Sequence, residues 1–257
     1  MIRSRLCFGV TIAIFIFLYV PILLLMINSF NASKYGTVWA GFSLKWYYTL
    51  FSEPDLWKAL VNSMIIAVSS AATSLVLGSL AAFTIYRYRT PLQKVHYGLI
   101  YAPLLLPDIL MGISLLMLFV AWNVKLGLFT IYIAHTTFCI SYVTMLMLSK
   151  LQNFDYSLVE AAHDLGAGAF ETFKKVIFPL ITPGLVAAVL LSFTLSIDDF
   201  VITFFVAGEG STTLPLYIYS MIKYGSTPII NALSTLILLG TFLLVFVYHT
   251  FAGEEQI

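Results

Sequence analysis

Charged side chains are scarce in this sequence: Asp, Glu, Lys and Arg make up 10% of its 257 residues, where a soluble domain carries about 25%. Water is therefore excluded as the main solvent of the fold. The signatures of several chemistries are missing as well. No Gly-rich loop ends in Gly-Lys-Ser/Thr, so ATP is not held here by that route. There is no His-Glu-x-x-His pair, no Gly-x-Ser-x-Gly elbow and no cysteine–histidine metal spacing, which argues against an intramembrane hydrolase or metalloenzyme. We expect no catalytic residue, no metal and no cofactor in this chain. The only cysteines, Cys7 and Cys139, both fall in apolar runs and read as packing residues rather than halves of a disulfide. A net charge of +1 and a pI near 7.7 give no bulk attraction for nucleic acid.

What is present is apolar: 60% of residues are hydrophobic and the mean hydropathy is +0.96. A hydrocarbon core needs about 20 apolar residues as a helix. Six stretches qualify: Leu6 to Ile27, Ala59 to Tyr86, Tyr97 to Trp122, Leu128 to Leu148, Pro179 to Val206, and Ile229 to Phe251. The first is too long for a signal-peptide core and lacks a small-residue cleavage site. The expected fold is thus an all-α integral membrane protein of six transmembrane helices, with residues 1–257 as a single membrane domain in contact with lipid. Basic residues sort the connections. Arg3 and Arg5, then Arg87, Arg89 and Lys94, then Lys150, Lys174 and Lys175 mark one side as cytoplasmic and place both termini there. Trp39, Trp46, Tyr47, Tyr48 and Trp57 crowd the first outer connection, as in an aromatic belt at headgroup level.

The connection over 153–178 carries helix punctuation. Ser157 followed by Glu160 fits a capping box, and Leu158, Ala161, Ala162 and Leu165 share a face at helical spacing. Gly166 then closes the helix in a left-handed conformation. Phe170, Phe173 and Ile177 form the stripe of a second short helix beside Lys174 and Lys175, before Pro179 opens the next span. An interfacial helix resting on headgroups is one reading; a knob that docks into a soluble partner is the other.

Glu160-Ala161-Ala162, three residues, Gly166, nine residues, then Val176-Ile177-Phe178-Pro179 resembles the EAA motif of ABC importer permeases with the type I, MetI-like fold. Phe178 stands where that pattern usually has leucine. The resemblance extends to the polyamine-importing members, through Tyr19-Val20-Pro21, Asn28-Ser29-Phe30-Asn31, Tyr86-Arg87-Tyr88-Arg89, Pro107-Asp108-Ile109, Ser192 to Asp199, and Leu214-Pro215-Leu216. It implies that this loop inserts into an ATPase cleft, with Glu160, Ala161, Ala162, Asp164, Leu165, Gly166, Phe170 and Pro179 as coupling residues. It also implies a partner set: a second, similar permease, two copies of an ATPase that holds ATP and Mg, and a periplasmic polyamine-binding protein, in the bacterial inner membrane.

A carboxylate at the centre of a span costs about 2.5–3.5 kcal/mol on insertion scales, so acids inside the apolar runs require a reason. Asp108 sits about eleven residues into the third run, roughly 16 Å deep along a straight helix. Asp198 and Asp199 lie in the fifth run and, being about 100° apart on a helix, cannot both face one pathway unless the helix breaks there. One then lines the route, and the other caps a new helical segment or pairs with a neighbouring subunit; which acid takes which role is open at this point. Glu209 stands at the outer mouth between Gly208 and Gly210. Carboxylates in series suit a polyamine, since they replace water around successive ammonium groups. We therefore expect Asp108, Asp198, Asp199 and Glu209 on the substrate pathway, with Pro103 and Pro107 bending the approach to Asp108. The rival is an ion-coupled transporter that relays protons through Asp108, His135 and Asp198.

Overall fold

The structure, a computed structural model, describes residues 2–34, 38–88, 91–224 and 228–252, the side chains of 2–6 and 244–252 excepted. Of the basic residues that set the sidedness, Arg89 and the side chains of Arg3 and Arg5 lie outside the described residues. Among the described residues the only strand-like feature is an isolated bridge between Asn31 and Phe42; everything else regular is helical. The chain falls into two compact units, residues 1–56 with 218–257, and residues 57–217.

The first unit contains α1 (Ile2–Asn28), α2 (Lys45–Phe51) and α12 (Pro228–Ala252). In α1 the described apolar stretch Cys7–Asn28 is 22 residues long and has no fully buried residue, as a helix facing lipid or another subunit requires. The connection after it winds around Asn31. The Asn31 amide donates to Val38 O (2.9 Å) and its carbonyl oxygen accepts from Ser33 N (3.1 Å) and Ala40 N (2.9 Å). Trp46, expected in an aromatic belt, is buried here instead and donates its indole N–H to Asn31 O at 2.7 Å. Tyr47 shares a 2.7 Å hydrogen bond with Ser29, while Trp39, Tyr48 and Trp57 stay exposed.

The second unit is built on α3 (Pro54–Arg87) and α6 (Leu128–Gln152). Small residues on α3 recur at helical spacing and are buried: Ser63, Ala67, Ser70, Ser74, Gly78 and Ala82. They let the two backbones close together. At Gly78 an added Cβ would stand 2.7 Å from Val143 Cβ on α6, and Thr144 Oγ1 donates to Gly78 O at 3.3 Å. The core gathers around α6, with Ile66, Met111, Phe119, Ile131, Ala134, Phe138, Cys139, Ile202 and Val206 in one cluster.

Two of the apolar runs are not straight spans. The third divides into α4 (Gln93–Leu105) and α5 (Asp108–Ala121), bent by 111°. The cause is Pro107: it removes a backbone donor and holds the preceding residue extended, as seen in Leu106 at ψ 137. The fifth run begins earlier than expected and ends sooner. The short second helix over 169–177 does not stop at Pro179 but runs on through α8 (Ala169–Thr172), a π-helical turn over Phe173–Ile177 and α9 (Phe178–Ile197), 29 residues without a break. The wider turn, in which Phe178 N–H reaches back to Phe173 O, accommodates the donor that Pro179 lacks. α9 then ends at Ile197, and a separate α10 (Val201–Val206) follows, then α11 (Leu214–Lys223). Among the described residues four continuous helices are long and apolar enough to cross a bilayer, a fifth crossing results if the bent pair counts as one span, and Pro228–Leu243 of α12 is a shorter apolar stretch of a 25-residue helix.

Candidate functional site

The breaks in the third and fifth runs meet. A cavity of about 300 Å³ is lined by Pro103 and Asp108 at the α4–α5 bend, Phe138 and Tyr142 on α6, and Leu195 and Asp198 to Ile202 where α9 gives way to α10. Three of the four acids expected on a pathway therefore share one wall. The straight-helix depth for Asp108 does not hold, because a 111° bend intervenes; Asp108 instead opens α5, at the helix end where a negative charge is favoured by the dipole. Glu209 is exposed in the turn between α10 and α11 and is not part of that wall.

The helix break lets Asp198 and Asp199 take different roles. Asp198, at the C-terminal end of α9, is exposed toward the cavity. Asp199 turns inward and caps α10: it accepts from Thr203 N (2.8 Å), Thr203 Oγ1 (2.7 Å) and Ile202 N (3.4 Å), and His135 Nε2 lies 3.2 Å from its Oδ2. These donors take the place of the water that a buried carboxylate gives up. His135 is 1% exposed. Its Nδ1 pairs with Ser196 Oγ at 2.7 Å and its Nε2 with Thr203 Oγ1 at 2.8 Å, and Ser70 Oγ on α3 donates to Ser196 at 3.0 Å. Because the Thr203 hydroxyl proton goes to Asp199, its oxygen accepts from Nε2–H. The sequence offered His135 as a member of a proton relay; its partners lie 61 and more residues away, with no local signal to announce them. Among the described residues no three His, Cys, Asp or Glu side chains converge as a metal centre requires.

The second feature is the connection over 153–178. α7 (Ser157–Asp164) is capped differently from the expected box: Ser157 is already helical, and its N–H donates to Asp155 Oδ1 at 3.0 Å, an acceptor two residues upstream. The Ser157 hydroxyl and N–H beside Asp155 hold that carboxyl below its ordinary range. The other end is as expected. Gly166 has φ +84, Gly166 N–H donates to His163 O (2.9 Å) and Ala167 N–H to Ala162 O (3.0 Å), the paired bonds of a Schellman turn. His163 Nδ1 adds a hydrogen bond to Ala167 O at 3.2 Å. Val159 is buried, whereas Leu158, Ala161 and Leu165 face outward with Glu160 and Asp164. Leu165 is 88% and Phe170 79% exposed, a degree of apolar exposure that a partner surface would relieve. Lys175 and Glu171 pair on the flank. Pro179 is exposed one turn further along.

Comparison with known proteins gives these features a setting. A family model described as a binding-protein-dependent transport system inner membrane component matches residues 74–252. The spermidine/putrescine transport system permease protein PotC of Escherichia coli (strain K12) is 41% identical over 247 residues, 96% of this chain and 94% of that one. The putrescine transport system permease protein PotI of the same organism is 44% identical over 231 residues, 87% of this chain and 82% of that one. Among solved structures, a bacterial alginate ABC transporter in complex with an alginate pentasaccharide-bound periplasmic protein matches with a TM-score of 0.74 at 14% identity, over 96% of this chain and 93% of that one. The inward-facing MetNI methionine ABC transporter matches at 0.58 and 20%, over 83% and 96%. The chain belongs to the family of binding-protein-dependent transport system inner membrane components, and is a multi-pass inner-membrane permease subunit of an ABC transporter rather than an enzyme.

Proposed function

We propose that this chain forms half of the translocation pathway of a polyamine importer, all of residues 1–257 serving as one permease domain with both termini in the cytoplasm. A second, similar permease completes the pathway, two ATPase copies bind ATP and Mg, and a periplasmic polyamine-binding protein delivers the substrate. The observation that carries this reading is the cavity with Asp108, Asp198 and Asp199 in its wall. Carboxylates there oppose an anion and suit a cation with several ammonium groups, and Phe138, Tyr142 and Phe200 beside them offer aromatic faces. The similarity to two polyamine permeases supports the same substrate class. Leu165 and Phe170, exposed beside Glu160, Ala161 and Asp164, suit insertion into an ATPase cleft as a short helix with apolar anchors.

The test is reconstitution of the full complex in proteoliposomes with its binding protein. Spermidine-loaded binding protein should stimulate ATP hydrolysis and uptake, and an anionic solute should not. Asp198→Asn should lower uptake about tenfold or more with assembly intact, the loss expected when one hydrogen bond to a charged group is weakened. Equal stimulation by an anion would refute the substrate class. Transport by the purified chain alone would instead favour the ion-coupled mechanism.

A further inference from the structure

We infer that His135 is a positioning residue for the acid pair: by tying Ser196, Thr203 and Asp199 together across the α9–α10 break, it keeps Asp199 turned inward and leaves Asp198 as the carboxylate that meets the substrate. This rests on the polyamine reading for its transport readout only.

The geometry is specific. α9 and α10 are joined by three residues, Asp198 to Phe200, and backbone bonds alone fix neither helix against α6. From α6, Cys139 Sγ reaches Ser192 O at 3.6 Å and Thr130 Oγ1 reaches Val206 O at 2.7 Å, but it is the imidazole that bridges the two helices at the break itself. Nδ1 holds Ser196, in the last turn of α9, at 2.7 Å, and Nε2 holds Thr203, in the first turn of α10, at 2.8 Å. Thr203 in turn gives both its N–H and its hydroxyl to Asp199. The same Nε2 lies 3.2 Å from Asp199 Oδ2, so one ring nitrogen serves the carboxylate directly and through Thr203. Ser70 extends the arrangement to α3 through Ser196. With side chains 1% and 9% exposed, neither His135 nor Asp199 has bulk water as an alternative partner. Without the imidazole, Asp199 loses a donor it cannot replace locally. Asp199, which already borders the cavity, would then turn its carboxylate further into it, next to Asp198, where two adjacent carboxylates repel. The charged wall met by substrate would change while the ATPase-facing segment would not.

Two variants separate hydrogen bonding from packing. His135→Leu keeps apolar bulk and removes both polar atoms; His135→Gln keeps an amide donor and an acceptor. In the reconstituted complex, His135→Leu should raise the KM for spermidine about tenfold with maximal uptake little changed, the loss expected for a hydrogen bond to a charged group. His135→Gln should recover most of that loss. Equal KM values for Leu and wild type, or an equal defect in Leu and Gln, would overturn the inference. A second measurement needs no substrate: the thermal midpoint of the purified complex with His135→Leu, Asp199→Asn and the double variant. Coupling between the two sites is expected, the double variant being less destabilised than the sum of the singles; strict additivity would overturn the pairing. If the wild-type complex takes up no polyamine, the substrate reading fails and the midpoint cycle alone decides the role of His135.

Discussion

Replacing Gly166 by alanine isolates the backbone contribution of the α7 turn. Gly166 has φ +84, and a Cβ there would meet no atom within 4 Å, so no steric clash contributes. The whole penalty is that of an L-residue held left-handed, about 1–2 kcal/mol, which shifts a local equilibrium by a factor of roughly 5–30. At stake are the Gly166–His163 and Ala167–Ala162 hydrogen bonds and, with them, the placement of Leu165. Gly168 is the control: its φ is −71 and it too has open space, so Gly168→Ala should be neutral or slightly stabilising. Gly166→Asn should fall between, because asparagine visits the left-handed region. The assay is amide hydrogen exchange over 157–168 in the assembled complex, together with ATP hydrolysis stimulated by loaded binding protein. We expect Gly166→Ala to speed exchange in α7 and weaken stimulation while the membrane helices keep their thermal midpoint. Unchanged exchange and stimulation in Gly166→Ala, or equal effects at Gly166 and Gly168, would refute the reasoning.

Two further predictions concern other contacts. At Gly208 a Cβ would stand 2.0 Å from Leu126 O, backbone against backbone, so Gly208→Ala should cost about 3 kcal/mol, the upper end of the usual overpacking range; complex yield and thermal midpoint, measured beside the unobstructed Gly98→Ala, check it. For Asp155, whose carboxyl is held low by Ser157, the cap is charged above the ordinary carboxylate pKa and is lost as pH falls through the lowered value. Protection of the 157–160 amides, corrected for intrinsic exchange, should therefore drop at acid pH in the wild type and be low at every pH in Asp155→Ala.

Much of this architecture is legible in composition, because hydropathy reports where lipid must be. Gly166 is legible too, since a glycine ending an amphipathic segment has few other uses. The bends are less so. Pro107 announces a kink but not one of 111°, because a hydropathy window sums both sides of a break alike. Nothing between Ser196 and Val201 is a helix breaker except the acids themselves, so the end of α9 was readable only as a conditional on Asp198 and Asp199. Pro179 misled in the opposite direction: a π turn accommodated it. The helix-capping role of Asp155 was hidden by a better-known pattern beginning two residues later. His135 was invisible as a partner of Asp199 because 64 positions separate them and only the approach of α6 to the α9–α10 break brings the two side chains together.

The uninterrupted helix over Ala169–Ile197 has a mechanical consequence. At about 1.5 Å per residue its 29 residues make a rod roughly 43 Å long. One end carries Phe170 in the open and the other adjoins the carboxylates of Asp198 and Asp199. A loop at Pro179 would have absorbed a push as bending; the π turn keeps the helix continuous there, and with Pro183 it marks where the helix can flex. Motion imposed at the aromatic end that these two points do not take up is inherited at the acidic end as tilt or rotation, and the first interruption of the helix is the short link to α10.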